Sequence, residues 1–234
     1  MIKIKYFFTF VLFFPLLIVA QSFNQLDANG NKQGKWIKSF ANGVPRYEGQ
    51  FKNDKPYGEF KHYYFSGVLK ATTKYSPDGI VARTKTFHEN SQPMAEGKYI
   101  NQKKDSVWRY FSDVDGKLIS DETYKKGELQ GISTIYYPEN GKVAKSIEYK
   151  DGLKNGELRK YFPEGGIMTE GTYLNDQLDS DFTLFFPNGK VQLKGQYKNG
   201  RQVGNWIYFD ENGMEITEDD FKAEGEVIEL EETR

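Results

Sequence analysis

The two histidines, His62 in "KHYYF" and His88 in "TFHENS", are the first side chains that spacing offers for chemistry. An imidazole acts as a base or a metal ligand beside an orienting or co-ligating group. The nearest carboxylates in sequence are Glu59 and Glu89. Nothing else in the spacing demands a paired site, so both histidines read as polar residues of strands or turns. The stretch "FSDVDGKLISDE", residues 111–122, offers a second chemistry. Asp113, Asp115, Gly116 and Glu122 fall at the third, fifth, sixth and twelfth positions of a calcium loop. The first position holds Phe111 in place of an aspartate, and the flanks read as strands, so the match is partial. The absence of Cys excludes disulfides and thiolate metal sites. There is no Gly-rich phosphate loop with Lys-Ser or Lys-Thr, and no G-x-G-x-x-G after a strand. Carboxylates are plentiful, but a glycosidase pair needs an enclosed pocket to raise one pKa. The expectation is a protein that is not an enzyme and takes no cofactor and no metal.

The elements that would position these residues come from a repeat, which is the first thing to seek in a chain rich in Gly and aromatics. "GKWIKSFANG" at residue 34 returns as "GNWIYFDENG" at residue 204. Matching anchors fall at Gly34, Gly58, Ala82, Ser106, Gly131, Gly156, Ser180 and Gly204, 24 or 25 residues apart. Each unit opens with a strand-like run such as "GEFKHYYFSG" and turns at Gly43, Gly67, Gly116, Gly141, Gly189 or Gly213. It then runs back through a segment such as "YEGQFKND" or "TEGTYLND". Asn-Gly at several turns signals a hairpin, since both residues accept positive φ. One hairpin is marginal in water, whereas stacked hairpins cover each other's edges. The fold class expected is all-β: an elongated single-layer antiparallel sheet of about eight hairpin repeats, twisted, and on the order of 80 Å long at 4.8 Å per strand. The third unit lacks both its anchor and turn glycines and reads as a bent or loose joint. The fourth and fifth are each one residue longer, which implies a longer turn or a bulge.

The ends differ from the array. Residues 1–20, "MIKIKYFFTFVLFFPLLIVA", place Lys3 and Lys5 before an apolar run from Tyr6 to Val19 and a small residue, Ala20. That is the pattern of a signal peptide. The run is shorter than the roughly 20 residues that span a bilayer. No Cys stands at the exit to carry a lipid. Export to the periplasm, the outer surface or the medium is expected. Residues 21–33 read as an N-terminal half-repeat or cap, and 34–216 as the array. Residues 217–234 read as an acidic tail, either disordered or closing the sheet with a strand through Val227, Ile228 and Leu230. The formal net charge is -1, so no nucleic acid partner is implied.

Aromatics make up 16% of the chain, and their places recur. The pairs Tyr63–Tyr64, Tyr136–Tyr137, Tyr161–Phe162, Phe185–Phe186 and Tyr208–Phe209 stand at similar points of their units. Adjacent strand residues face opposite ways, so one member of each pair would stack on each face. Most such residues would hold the repeats together. A single layer cannot cover both faces, so an aromatic row would remain for a partner. The candidate partner-binding residues are Trp36, Tyr64, Trp108, Tyr137, Phe162, Phe186, Trp206 and Tyr208.

The pattern G-x-[aromatic]-x-x-Y-[YF]-x-x-N-G followed by E-G-x-Y-x-N-G resembles the MORN-repeat variant family, whose bacterial members include antitoxin-like proteins of the YwqK type. The resemblance covers roughly residues 24–216. It implies a hairpin array that serves as an interaction surface, and the antitoxin label implies capture of a toxic protein. A fainter likeness links "GNWIYFDENGM" to choline-binding cell-wall repeats, which rely on Trp cages; this chain has only 3 Trp. The reading is a non-catalytic scaffold for another envelope or secreted protein. Attachment to an envelope glycan or lipid headgroup is the alternative.

Overall fold

Two kinds of turn predominate in the sheet, one along each of its long edges. At one edge six turns are two-residue loops in which both residues are left-handed, Asn53–Asp54 (φ 51 and 62), Asn101–Gln102, Lys126–Gly127, Asp151–Gly152, Asn175–Asp176 and Asn199–Gly200, while the turns at Gly30 and Gly79 on this edge are longer, Asp27 N reaching Asn31 O and Ser76 N reaching Val81 O. The twist of the two-residue loops matches that of the flanking strands. At the other edge the Asn-Gly turns behave differently from expectation. Only the glycine is left-handed, as at Gly43 (φ 85), and the asparagine before it is not. There Phe40 N donates to Val44 O and Gly43 N to Phe40 O, beside a register shift between Lys38 and Ser39. These are longer turns closed by a glycine bulge.

The computed structural model describes residues 22–223; the expected signal peptide and the tail residues Val227, Ile228 and Leu230 lie outside the described residues. The strands are β1 Gln25–Leu26, β2 Lys32–Ser39, β3 Pro45–Lys52, β4 Lys55–Tyr63, β5 Leu69–Tyr75, β6 Val81–Phe87, β7 Pro93–Ile100, β8 Lys103–Phe111, β9 Leu118–Lys125, β10 Glu128–Leu129, β11 Gly131–Tyr136, β12 Val143–Lys150, β13 Leu153–Tyr161, β14 Ile167–Leu174, β15 Gln177–Leu178, β16 Ser180–Phe185, β17 Val191–Lys198, β18 Arg201–Phe209 and β19 Glu215–Ile216. They form one antiparallel sheet of 19 strands in hairpin order, the fold class that the repeat predicts. β10 and β11 both pair β9, and β15 and β16 both pair β14, because each couple is one run interrupted at a bulge.

That bulge is what the repeat anchor is for. Between β3 and β4 the register steps from Glu48↔Lys61 to Gln50↔Tyr57, so Gly49 faces the whole of Gly58–Phe60. Gly97 faces Ser106–Trp108 in the same way, and Gly195 faces Gly204–Trp206. Anchor serines take the left-handed conformation of the glycines they replace: Ser106 at φ 62 and Ser180 at φ 81.

The third unit is not a loose joint. Ala82 sits in regular strand opposite Tyr75, and β5 and β6 pair without a register shift. Losing the anchor glycine removes the bulge and leaves an uninterrupted ladder. The additional residue of units four and five lies in their turns. Ser112 N reaches Lys117 O and Tyr137 N reaches Lys142 O, one residue further than Phe40 reaches.

Of the expected acidic tail or capping strand at 217–234, only residues up to 223 are described. Residues Glu218–Ala223 form a short helix, α1. Thr217 Oγ1 accepts the Asp220 N–H at 3.1 Å, and three acidic residues fill the first turn, where the helix dipole favours them. The Phe221 ring lies 5.0 Å from Tyr208 and closes the sheet's last core cluster, Phe182, Leu184, Leu193 and Tyr197.

Candidate functional site

Strand registry fixes one buried row of side chains running across the sheet: Trp36, Gly49, Phe60, Thr73, Thr84, Gly97, Trp108, Glu122, Ser133, Ile147, Leu158, Gly171, Phe182, Gly195 and Trp206. Each unit supplies two members. Across each boundary between units, the later member follows the earlier by 11 residues. Where the first is glycine, the second is an aromatic ring lying on it. A Cβ added at Gly49, Gly97 or Gly195 would overlap the ring of Phe60, Trp108 or Trp206, and one at Gly171 would stand 3.0 Å from Phe182. Where the glycine is absent, both members change. Thr73 meets Thr84 by a hydroxyl hydrogen bond of 2.9 Å, and Ile147 meets Leu158.

A second row on the same face comes from the return strands: Phe51, Tyr75, Tyr99, Tyr124, Tyr149, Tyr173 and Tyr197. These rings meet the first row edge to face, with Tyr99–Trp108 at 4.8 Å, Phe51–Phe60 at 5.2 Å and Tyr197–Trp206 at 5.2 Å. Lysine stems lie over them, Lys104 Nζ standing 4.9 Å from the Trp108 ring. A single layer thus covers its own aromatic face, and Trp108 is 2% exposed.

The candidate residues divide among three positions of the unit. Trp36, Trp108 and Trp206 share the buried row. The indoles of Trp36 and Trp108 donate to Gln33 O and Lys98 O, while Trp206 Nε1 is buried without a hydrogen-bond partner among the described residues. Tyr64, Tyr137, Phe162 and Phe186 are the first residues of glycine-closed turns, not alternate strand faces. Tyr64 and Tyr137 donate their hydroxyls to Phe87 O at 2.8 Å and Tyr161 O at 2.6 Å, tying each unit to the next. Phe186 is buried. Tyr208 belongs to neither set: registry aligns Phe209, not Tyr208, with Tyr63 and Phe185. Tyr208 instead packs on Phe221.

The chemistry-bearing residues are also placed apart. His62 stacks near Tyr47 and Phe60, and burial, then Lys70 and Arg46, hold its pKa below the usual imidazole range. His88 opens a turn, with Nε2 buried and unpartnered. Glu59 lies 3.9 Å from Lys61, and Glu89 accepts from Ser66. Asp115 caps the Lys117 N–H within its turn, whereas Glu122 stands on β9 opposite Trp108 in the buried row. No three His, Asp or Glu side chains converge on one point among the described residues.

The opposite face carries a feature that aromatic pattern reading missed. A row of polar side chains crosses the sheet: Glu48, Lys61, Thr72, Lys85, Glu96, Arg109, Asp121, Thr134, Ser146, Arg159 and Glu170. Neighbours of opposite sign pair along it, Lys85 with Glu96 at 3.2 Å, Arg109 with Glu96 at 3.4 Å and with Asp121 at 3.6 Å, and Arg159 with Glu170 at 3.5 Å. The signal was present in the Glu of each E-G motif and the base three residues after an anchor. Around Thr72 the alternation fails. Lys74 has Glu59 opposite it on one neighbouring strand and Arg83 on the other, so two bases adjoin there. They line a shallow cleft of about 560 Å³ together with Lys85, Glu96 and Arg109.

The profile of the MORN repeat variant matches residues 32–53, 56–76, 154–175 and 178–199. No curated protein matches the chain. Among solved structures, two crystal structures of TarM are similar over part of the chain. One is an S. aureus mutant in complex with fondaparinux, α-GlcNAc-glycerol and UDP, at 21% identity and a TM-score of 0.31. The other is TarM alone, at 21% identity and a TM-score of 0.30. Each match covers 42% of this chain and 20% of the TarM chain. Four of the units match the MORN repeat variant directly, and the remaining units continue their hairpin register.

Proposed function

We propose that this repeat scaffold is an exported, non-catalytic protein whose charged face docks another protein of the bacterial envelope or a secreted protein. The observation that carries this reading is the polar row with the adjoining bases Lys74 and Arg83, which line a cleft with Lys85, Arg109, Glu59 and Glu96. The aromatic rows are largely covered by their own neighbours, so the surface left for recognition is the other face. Surface ion pairs along it add little stability, about 0–1 kcal/mol each. A regular array of charges instead supports selection and steering of a partner with matching signs. An antitoxin-like role, the capture of a toxic protein, is one form of this function.

The test is a pull-down of envelope extract with the tagged full chain, at low and high salt, read by mass spectrometry. One protein recovered at near-equal amount, released by salt and lost with Lys74→Glu and Arg83→Glu together, is the expected result. A partner that binds these variants equally well, or no partner at all, overturns the charged-face reading.

A further inference from the structure

We propose that the break in the buried row at Glu122 and Ser133 is a binding cleft for a neutral pyranose unit of an oligosaccharide. The site lies on the aromatic face and is independent of the charged-face docking proposed above.

The row's own rule identifies the break. At this step the glycine position holds Glu122 and the ring position holds Ser133. The other polar step, Thr73–Thr84, satisfies itself with a hydroxyl hydrogen bond and stays buried. Here the two residues do not answer each other. Glu122 Oε2 accepts the Tyr124 hydroxyl at 2.5 Å, within its own strand and not across the step. Ser133 Oγ is buried with no partner. A carboxylate and an orphaned hydroxyl in a row of rings and aliphatic groups cost stability that Gly and Trp would not. Departures of that kind are expected where a site is needed.

The missing ring leaves space. A cleft of about 580 Å³ opens over Ser133, within the range of small-ligand sites. Its lining includes Glu122, Tyr149, Ile147, Lys145, Lys154 and Asp176. Two carboxylates and two ammonium groups balance in sign, which disfavours a net-charged ligand. Lys154 Nζ already stands 5.1 Å from the Tyr173 ring, so that ring's cation position is filled from within. Asp176 Oδ1 accepts the Lys154 N–H at 2.8 Å and retains its second oxygen. The Ser133 hydroxyl and two carboxylates beside one aromatic and one aliphatic wall suit a ring that bears hydroxyls on its rim and C–H groups on its face.

Saturation-transfer NMR on the full chain, followed by calorimetric titration, tests this. The probes are glucose, galactose, N-acetylglucosamine and their β-1,4-linked disaccharides, with glycine as a zwitterion control. At least one sugar is expected to bind saturably. Glu122→Gln, which keeps the acceptor to Tyr124, is expected to weaken it about tenfold or more. Glu122→Gly with Ser133→Trp rebuilds the pairing seen at Gly97 and Trp108, and is expected to abolish binding while raising Tm. Absence of saturable sugar binding, binding of glycine instead, or sugar binding unchanged in both variants overturns the proposal.

Discussion

The indole of Trp108 lies flat on the backbone of Gly97, one strand away and 11 residues earlier, and a methyl group at Gly97 would occupy the space of the ring. Gly97 carries no positive φ, so its role is to be thin and not to bend. The same relation joins Gly49 to Phe60 and Gly195 to Trp206, which makes it the joint between units.

Gly97→Ala should therefore cost roughly 3 kcal/mol, the upper end of overpacking. Gly171→Ala, where the ring stands 3.0 Å off, should cost less. Gly43→Ala meets nothing within 4 Å and carries only the left-handed penalty, about 1 kcal/mol. Urea midpoints of the three variants check the order; equal losses at Gly97 and Gly43 would show that the ring seat carries no special weight.

Thr73 and Thr84 replace glycine and ring by a pair of hydroxyls that share one hydrogen bond, with Thr84 Oγ1 also donating to Thr72 O. Thr84→Val alone strands the Thr73 hydroxyl in the sheet and should cost about 2 kcal/mol. Thr73→Val with Thr84→Val removes both polar groups and should restore most of that loss. A double-mutant cycle in urea reads the coupling, and additive losses would contradict it.

The aromatic face sets an alkaline limit. Tyr124 is pushed up to about 12 by burial first and by its bond to Glu122 second. On the opposite face, Tyr63 is pushed up to about 12 by burial and by its bond to Glu48. Burial also raises Tyr110, Tyr149 and Tyr173. A phenol whose folded pKa exceeds its unfolded value of about 10 binds more protons in the native state. Its contribution is complete below pH 10 and is lost as pH climbs toward 12. Tm should be flat through neutrality and fall steeply across that window, with phenolate absorbance rising together with loss of the β signal. Phenolate absorbance appearing near pH 10 in a sheet that stays folded would place these hydroxyls in water.

The period, the hairpin unit and the single antiparallel layer were legible because Gly and aromatic residues return every 24 or 25 positions. The faces were not, because two irregularities intervene. A glycine bulge follows the first strand and carries Tyr64, Tyr137, Phe162 and Phe186 off the strand into the turn, so adjacent aromatics do not simply alternate. The anchor bulge faces Gly49 with the whole of Gly58–Phe60, so the ring seat sits 11 residues back and outside the unit that supplies the ring. The E-G glycine was visible in the sequence, yet its purpose depends on that cross-unit register. The Thr217–Asp220 cap has its signal in the sequence, a hydroxyl residue three before an acid, but the alternation of Val227, Ile228 and Leu230 with Glu and the tail's acidity drew attention to a strand or disorder instead.

The helix cap gives the most local of these tests. Phe221 is the one α1 residue shown packing on the sheet, 5.0 Å from Tyr208, beside a cluster that includes Phe182 and Tyr197. In an array where each unit touches only its neighbours, damage at one end should stay there. Phe221→Ala removes a partly buried ring, and should cost about 1–2 kcal/mol, less than the roughly 3 kcal/mol of a full core site. Because β19 pairs only Tyr208 and Phe209, it has little else to hold it. Hydrogen exchange should accelerate across β18, β19 and α1, while β2 to β9 keep their protection. The global urea midpoint should move much less than the local opening energy. If protection falls equally along the whole sheet, the units are one cooperative body, and the ring seats couple them more strongly than nearest-neighbour contact requires.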